Sequence, residues 1–264
     1  MAIRKLLFLV GLSAALMGGM NGTARAETFR VLAGEIAPYA YQDDTRIVGV
    51  SIELTAEIAK RLGHKTEFEI MPFPRATNEI NQHPDVLMLQ VARVEERDSR
   101  FIWVADLFDE PFYMFVRSDS GIDPDFMFHN QPVPGPIGVL RGGISQKVAL
   151  DYGLAPLEPA SDELIDAHKI VSGRISSWLG SYNTARGAMR RAGFDPDLLR
   201  IGRMVKHFHL YLVAGRASSA LVPERWTDVL QKMKQDGSYQ KILERYHYCQ
   251  RAIEVGQTQY GVCP

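Results

Sequence analysis

Short strand-like runs alternate with helical patterns in the first half of this chain, and this alternation constrains its fold more than any other feature. Three such runs are apolar or alternate in polarity, at residues 29–33, 66–70 and 86–91. Between the first two, Leu54, Ile58 and Leu62 recur at four-residue spacing, as in the buried stripe of a helix. Strands that alternate with helices in this way predict a mainly parallel sheet with crossover helices.

The composition changes after residue 116, where a segment rich in proline and glycine fits the entry to a second lobe. A strand at residues 137–140 then leads into a glycine turn and a helix, and a strand from His207 to Val213 returns the chain to the first half. We therefore expect two α/β lobes. The predicted limits are a first lobe at 27–116, a second lobe at 117–208, and a return to the first lobe at 209–264.

The first 26 residues have the pattern of a secretory signal peptide. Arg4 and Lys5 supply the positive start, residues 6–16 supply an apolar core, and residues 24–26 supply a small-x-small cleavage site. Cleavage after Ala26 and a periplasmic location are expected, and an uncleaved anchor is the alternative.

The charge balance argues against binding to nucleic acid or to an anionic membrane through net positive charge. The chain has 30 Lys and Arg against 31 Asp and Glu, so it has no basic footprint for nucleic acid or an anionic membrane. No phosphate-binding or dinucleotide fingerprint occurs, and no cofactor is expected. With 46% hydrophobic residues the chain can build a core.

Both cysteines, Cys249 and Cys263, lie near the end of the chain. In an oxidising compartment we expect them to form a disulfide that pins the tail. His207 and His209 share one face of a predicted strand. No third ligand lies near them in the sequence, so a surface or packing role is favoured and no metal site is expected.

A charge-dense segment with three arginines follows the strand at residues 86–91. Ligands of open α/β sheets bind beyond the carboxyl ends of the strands. We expect Arg97 to offer its planar fork of donors to a carboxylate there. The alternative is a solvated loop whose arginines pair with their own acids.

Two irregular loops after strands carry aromatic residues. Tyr39 follows the first strand, and Phe73 and Arg75 follow the second. Aromatic groups at these positions are suited to line a small-ligand site. Ordinary half-buried packing is the alternative for the tyrosine.

Several motifs together give this chain a family resemblance over nearly all of residues 27–250. They are Ala37-Pro38-Tyr39 with Gly49 and Glu53-Leu54, the helix end at 58–63, Glu95-Glu96-Arg97, and Asp236-Gly237-Ser238-Tyr239. In this order and spacing they resemble the bacterial extracellular solute-binding proteins of family 3, the receptors that mostly serve polar amino-acid ABC transporters.

The resemblance implies a type II periplasmic-binding-protein fold. In that fold two α/β lobes, each a mainly parallel sheet flanked by helices, are joined by two hinge strands and trap a ligand between them. The hinges would lie near 114–117 and 209–213. Arg97 would grip the ligand carboxylate, Tyr39 and Phe73 would line the cleft, and Ser145 would meet the carboxylate from the second lobe.

The chain also departs from the family pattern. At two positions before the arginine where the family usually has a hydroxyl residue, this chain has Ala92 and Val94. At the position of the acid that normally pairs with the ligand ammonium, it has Ser181. A buried ammonium without a carboxylate is costly. Either another acid replaces it, with Glu35 the nearest candidate, or the ligand lacks an ammonium group.

Arg75 and Arg93 add positive charge near Arg97 in this placement, which favours an anionic ligand such as an organic acid. The alternative is that the side chains of both arginines point to solvent or brace the lobes.

The resemblance implies a receptor that presents a small anionic or amino-acid-like ligand to an ABC permease or sensor, and we expect a monomer. Two alternatives stay open. One is a dehydratase-like enzyme on the same scaffold, for which Glu35 and His168 are the available titratable groups. The other is a partner-binding module that has lost small-molecule binding.

Overall fold

The computed structural model describes residues 27–218 and 221–249. The described part contains ten strands: β1 (Thr28–Ala33), β2 (Tyr41–Asp43), β3 (Arg46–Val48), β4 (Lys65–Ile70), β5 (Val86–Ala92), β6 (Phe101–Arg117), β7 (Ile137–Leu140), β8 (Leu157–Ala160), β9 (Ser177–Ser181) and β10 (Leu199–Gly215).

Eight α-helices connect these strands within the described residues. They are α1 (Val50–Arg61), α2 (Phe73–Gln82), α3 (Glu95–Asp98), α4 (Ile144–Asp151), α5 (Glu163–Val171), α6 (Tyr182–Arg191), α7 (Pro223–Gln235) and α8 (Ser238–Arg245). None of the helices in residues 27–218 and 221–249 has the length and apolar character needed to span a membrane.

One mixed sheet runs through both lobes in the order β4-β1-β5-β10-β6-β9-β7-β8. In the first lobe β1 pairs parallel with β4 and β5, and in the second lobe β7 pairs parallel with β8 and β9. The prediction of two mainly parallel α/β lobes is confirmed. Helical crossovers make each of these parallel connections, as strand direction requires.

Two antiparallel strands of 17 residues each, β6 and β10, join the lobes. The strand β10 borders β5 at residues 210–214, and β6 borders β9 at residues 112–115. Between those zones, residues 109–111 of β6 pair with residues 207–209 of β10. We call these six residues the crossover, which is distinct from the helical connections between parallel strands. The predicted lobe limits are not tested by this pairing and stay predictions.

Helices cover both faces of the sheet in each lobe, which buries three hydrophobic clusters. The largest includes Val31 and Leu54 in the first lobe and Val139 and Leu179 in the second. Smaller clusters lie on the opposite faces, around Trp178 in the second lobe and around Met88 in the first.

Two sequence predictions fall on residues outside the described ranges. The signal peptide at residues 1–26 is one of them, and Cys263 is the other. Cys249 itself is buried, and its backbone N–H donates to Oδ1 of Asn183 at 2.9 Å. The disulfide between the two cysteines therefore stays a prediction.

Candidate functional site

A cavity of about 440 Å³ lies between the lobes, beside the crossover. The six parallel strands β1, β4, β5, β7, β8 and β9 all end at it, because Gly34, Met71, Ala92, Arg141, Ser161 and Ser181 line its wall. Carboxyl ends of parallel strands form the usual ligand crevice of α/β sheets, and this volume suits a small molecule.

Arg97 is a cation in the cavity wall, and among residues 27–218 and 221–249 it has no acidic partner. It lies in the single-turn helix α3, where its Nη1 donates to the carbonyl of Ala92 at 3.2 Å. Its guanidinium carbon lies 5.0 Å from the ring centroid of Phe73. Within the described residues no carboxylate forms an ion pair with it. Most of its donors are therefore free for a ligand.

Burial, and then the charge of Arg100, lowers the pKa of Arg97. An arginine nevertheless keeps its proton in proteins, so the side chain presents a partly desolvated positive charge. A carboxylate placed against it would restore the solvation that burial removes.

The two predicted aromatic residues lie in the cavity wall at different depths. Phe73 begins α2 and stacks on Arg97, whereas Tyr39 is only 1% exposed and packs against Phe108 and Tyr248. The hydroxyl of Tyr39 makes no hydrogen bond of good geometry within the described residues, although Glu110, Tyr248 and Ser181 lie close enough to influence its pKa. Burial raises that pKa, and the charge of Glu110 adds to the shift. The hydroxyl is thus a neutral group at the cavity floor.

Arg75 and Arg93 do not line the cavity, so the expected cluster of arginines around Arg97 is not present in its wall. Arg75 is exposed. Arg93 donates from Nε to Asp98 at 2.9 Å and lies over the ring of Trp103. Arg93 directly follows β5, whereas Arg97 lies four residues further on in α3, so the two side chains have different surroundings although they share one segment.

Glu35 lines the cavity but is already paired. Its Oε1 accepts from Nη1 of Arg191 at 3.0 Å, and both of its oxygens are 3.2 Å from the backbone N–H of Gln42. An acid held in this way is a weaker candidate for a ligand ammonium than the sequence indicated. His168, the other titratable group considered for catalysis, is exposed and packs edge-on against Phe194.

Ser145 and Ser181 both line the cavity, and both hydroxyls also serve the backbone. Ser145 Oγ accepts from the N–H of Leu140 at 3.0 Å. Ser181 is the N-cap of α6, where it accepts from the N–H of Thr184 at 3.2 Å. Each serine therefore fixes a strand-to-helix turn of the second lobe at the cavity wall.

Glu110 is the residue that the sequence analysis missed. It is fully buried on β6, lines the cavity, and accepts from Nδ2 of Asn183 at 3.2 Å and from the hydroxyl of Tyr248. Burial raises its pKa, while contacts with Tyr248, Ser181 and Tyr39 oppose that shift. A buried acid thus lies beside position 181, on the neighbouring strand. The sequence signal that could have identified Glu110 is an acid inside the apolar run of β6, because a buried acid requires hydrogen-bond or charge partners.

A second buried acid, Glu163, lines the cavity from the start of α5. Its Oε2 accepts from Nε1 of Trp178 at 3.1 Å. Burial raises the pKa of Glu163 to about 8, and the charge of Asp166 adds to it. Burial likewise raises the pKa of Asp166 to about 7, opposed by Lys169, whose Nζ is 3.5 Å away. Glu163 therefore retains its proton near neutral pH and can donate a hydrogen bond.

Gln90 adds an amide to the first-lobe wall. Its φ of 61° lies in the left-handed region, which non-glycine residues rarely adopt. Its Oε1 accepts from the N–H of Gly34 at 3.3 Å, while its buried Nε2 has no partner within the described residues. Backbone strain beside an unsatisfied donor is typical of a ligand site.

Two α/β lobes, a cavity at the carboxyl ends of their strands and two connecting strands define the class of two-lobed binding proteins. The chain belongs to the bacterial extracellular solute-binding proteins, family 3, whose model matches residues 31–248. The recognised resemblance is thereby confirmed, and the chain is a solute-binding protein. A comparison with curated proteins found no match.

Solved structures of amino-acid-binding proteins share the fold. A mutant of ArgBP from T. maritima is 21% identical, with a TM-score of 0.72, covering 84% of this chain and 95% of that one. The ancestral amino-acid-binding protein AncCDT-1, a precursor of cyclohexadienyl dehydratase, is 20% identical, with a TM-score of 0.72 and coverages of 83% and 95%. A Streptococcus pneumoniae ABC uptake protein with bound histidine is 12% identical, with a TM-score of 0.73 and coverages of 83% and 92%. These likenesses concern the fold alone.

Proposed function

We propose that this protein captures a small amino-acid-like ligand between its lobes, with the ligand carboxylate on Arg97 and its cationic group facing Glu110. Burial raises the pKa of Glu110, and a ligand cation beside this carboxyl group would favour its charged form. Arg97 carries the proposal, because it is a cavity-lining cation without an acidic partner in the described part of the chain. A bidentate carboxylate pair is the strongest contact such a side chain can form.

The charges around the cavity favour a ligand of both signs over a purely anionic one. The wall contains two arginines, Arg97 and Arg141, and four acids. Of these acids, Glu163 keeps its proton near neutral pH and Glu35 is paired with Arg191, which leaves Glu110 and Asp162 to face a ligand cation. The expectation of an anionic ligand assumed an arginine-rich site with few acids, and this lining removes that basis. A zwitterion places its negative group on the arginine and offers its positive group to an acid.

The biological setting completes the proposal. We infer that the ligand is delivered in the periplasm to an ABC permease or a sensor, after removal of residues 1–26, and that the receptor acts as a monomer. Family membership supports this setting, because proteins of this kind present their ligands to membrane partners.

A thermal-shift panel on the chain lacking residues 1–26 tests the ligand class. Amino acids, opines and dicarboxylic acids are each added in excess, since a ligand that binds only the folded state stabilises it by about 2.7 kcal/mol at 100 times its Kd. We expect an amino-acid-like compound to raise Tm. Arg97→Gln should abolish the shift, whereas Arg100→Gln, which removes an exposed charge from the same segment, should retain it.

Glu110→Gln separates the two ligand classes in the same assay. It should weaken an amino-acid-like ligand by about tenfold or more, because one charge-assisted contact of roughly 1.5–3 kcal/mol is lost. Binding of dicarboxylates alone, unaffected by Glu110→Gln, would support an organic-acid receptor instead. No shift with any compound would favour a partner-binding module.

A dehydratase-like enzyme is the second candidate, and Glu163 is the observation that favours it. A carboxyl group that holds its proton near neutral pH in a cavity is suited to general acid catalysis. The wild type should then release water from a cleft-bound acid, and Glu163→Gln should lose this activity. The absorbance of the product measures the reaction. Binding without turnover would support the receptor function and not the enzyme.

A further inference from the structure

The crossover carries two histidines and an aspartate that the fold brings to one face. In the register of β10 with β6, His209 lies opposite Asp109 and Phe208 lies opposite Glu110. Alternate residues of a strand share a face, so His207, His209 and Asp109 lie together. Glu110 projects to the other face, where it lines the cavity. The cluster is therefore separate from the ligand site.

The three side chains approach one another closely. One ligand atom from each, an imidazole nitrogen of either histidine and a carboxylate oxygen of Asp109, all lie within 4.8 Å of one another. Nδ1 of His207 is 3.1 Å from Oδ1 of Asp109. Ligand atoms around a tetrahedral zinc ion lie about 3.3 Å apart, given metal bonds of about 2.0–2.1 Å. Small side-chain rotations would therefore bring the third atom into place.

A fourth residue orients one of the histidines. Asp106 Oδ2 lies 2.8 Å from Nδ1 of His209, which leaves Nε2 of that ring for a metal ion. Metal-binding histidines typically place their other ring nitrogen against a carboxylate in this way, which fixes the tautomer. The exposed surroundings leave room for water to complete the coordination sphere.

We propose that His207, His209 and Asp109 form a binding site for a divalent transition-metal ion, with Zn²⁺ the best match. Two imidazoles and one carboxylate are a ligand set that suits zinc, whereas Mg²⁺ and Ca²⁺ prefer oxygen ligands alone. No metal was expected from the sequence, because Asp109 is 98 residues from His207 and only the pairing of β6 with β10 joins them. The ion would link the two strands that connect the lobes.

Titration of ZnCl₂ into tag-free, EDTA-treated protein, measured by calorimetry, tests the site. The expected result is one Zn²⁺ per chain, with no heat from MgCl₂. His207→Gln and Asp109→Asn should each weaken zinc binding by about tenfold or more, since each removes one ligand. His129→Gln is the matched control, because His129 is equally exposed and also lies against an aspartate, Asp123, at 2.7 Å.

Circular dichroism of each variant without metal establishes that it is folded before titration. Retention of wild-type zinc affinity in both His207→Gln and Asp109→Asn would overturn the proposal. So would the absence of zinc binding by the wild type, or an equal loss of affinity in His129→Gln.

Discussion

At the scale of residues, the cavity combines a free cation with acids of different character. Arg97 keeps its charge and lacks an acidic partner in the described chain, whereas Glu163 is buried against Trp178 and keeps its proton near neutral pH. The carboxyl group of Glu110 is excluded from water, which disfavours its charged form, while the hydrogen-bond donors around it favour that form. Environment, more than residue type, decides what each group offers a ligand.

Glu163 should make stability depend on pH in a defined direction. Its pKa is about 8 in the folded protein against an ordinary value of 4.5, so the folded state binds the proton more tightly. The corresponding stability is fully present below about pH 4.5 and is lost as pH rises through about 8. The loss is up to roughly 5 kcal/mol, at about 1.4 kcal/mol for each pKa unit.

Glu163→Gln should flatten this dependence, because a neutral amide still accepts from Trp178 but does not titrate. Urea unfolding at a series of pH values between 5 and 9 measures the effect. Glu67→Gln, which changes an exposed acid on β4, should follow the wild-type curve. Parallel curves for Glu163→Gln and the wild type would show that the proton is not held as described.

At the scale of elements, the first helix begins where a glycine allows two backbone segments to meet. Gly49 precedes α1 with a φ of 140°, and a Cβ at this position would lie 2.1 Å from the carbonyl oxygen of Tyr39. That carbonyl accepts from the N–H of Ser51 at 3.0 Å. The close approach thus fixes the loop that holds Tyr39 in the cavity floor.

Gly49→Ala should destabilise the protein by roughly 3 kcal/mol or more, because it adds a steric clash to an unfavourable φ. Gly63→Ala is the matched control, since Gly63 also has a positive φ, of 80°, but nothing lies near its added Cβ. It should cost only about 1 kcal/mol. Denaturant unfolding compares the two, and equal losses would contradict the role of the contact with Tyr39.

At the scale of the whole molecule, the two lobes share one sheet and the largest hydrophobic cluster. The long strands β6 and β10 run through both lobes, and that cluster has members in each, while each lobe also has a smaller cluster of its own. The shared strands and the shared cluster therefore couple the unfolding of the two lobes. In the proposed function, ligand capture would work by bending at the crossover, as in hinge closure around ligands.

Hydrogen exchange should show one cooperative unit. Peptides from β1 in the first lobe and β7 in the second should exchange with the same free energy of opening, to within about 1 kcal/mol, because global unfolding exposes both. Mass spectrometry of exchange in native buffer measures this. Markedly faster exchange of β7 than of β1 would indicate that the second lobe opens by itself.

Much of the architecture could be predicted from the sequence. The alternation of strands and helices indicated parallel sheets, and the change near residue 118 and the returning strand indicated two lobes. These predictions succeeded because local hydrophobic periodicity reflects which face of each element is buried. The positions of Arg97 and Phe73, in segments that follow strands, could be predicted from the same pattern, whereas Ser145 was assigned through the family resemblance.

What the sequence could not determine depends on contacts between distant residues. It established the kinds of elements, their order and the residues at strand ends, because these follow from periodicity and turn chemistry along the chain. Only the tertiary structure decided that Glu110 lies beneath position 181, that Arg93 turns to Asp98, and that Asp109 joins two histidines. Strand register sets these contacts, and register arises from packing across the whole sheet.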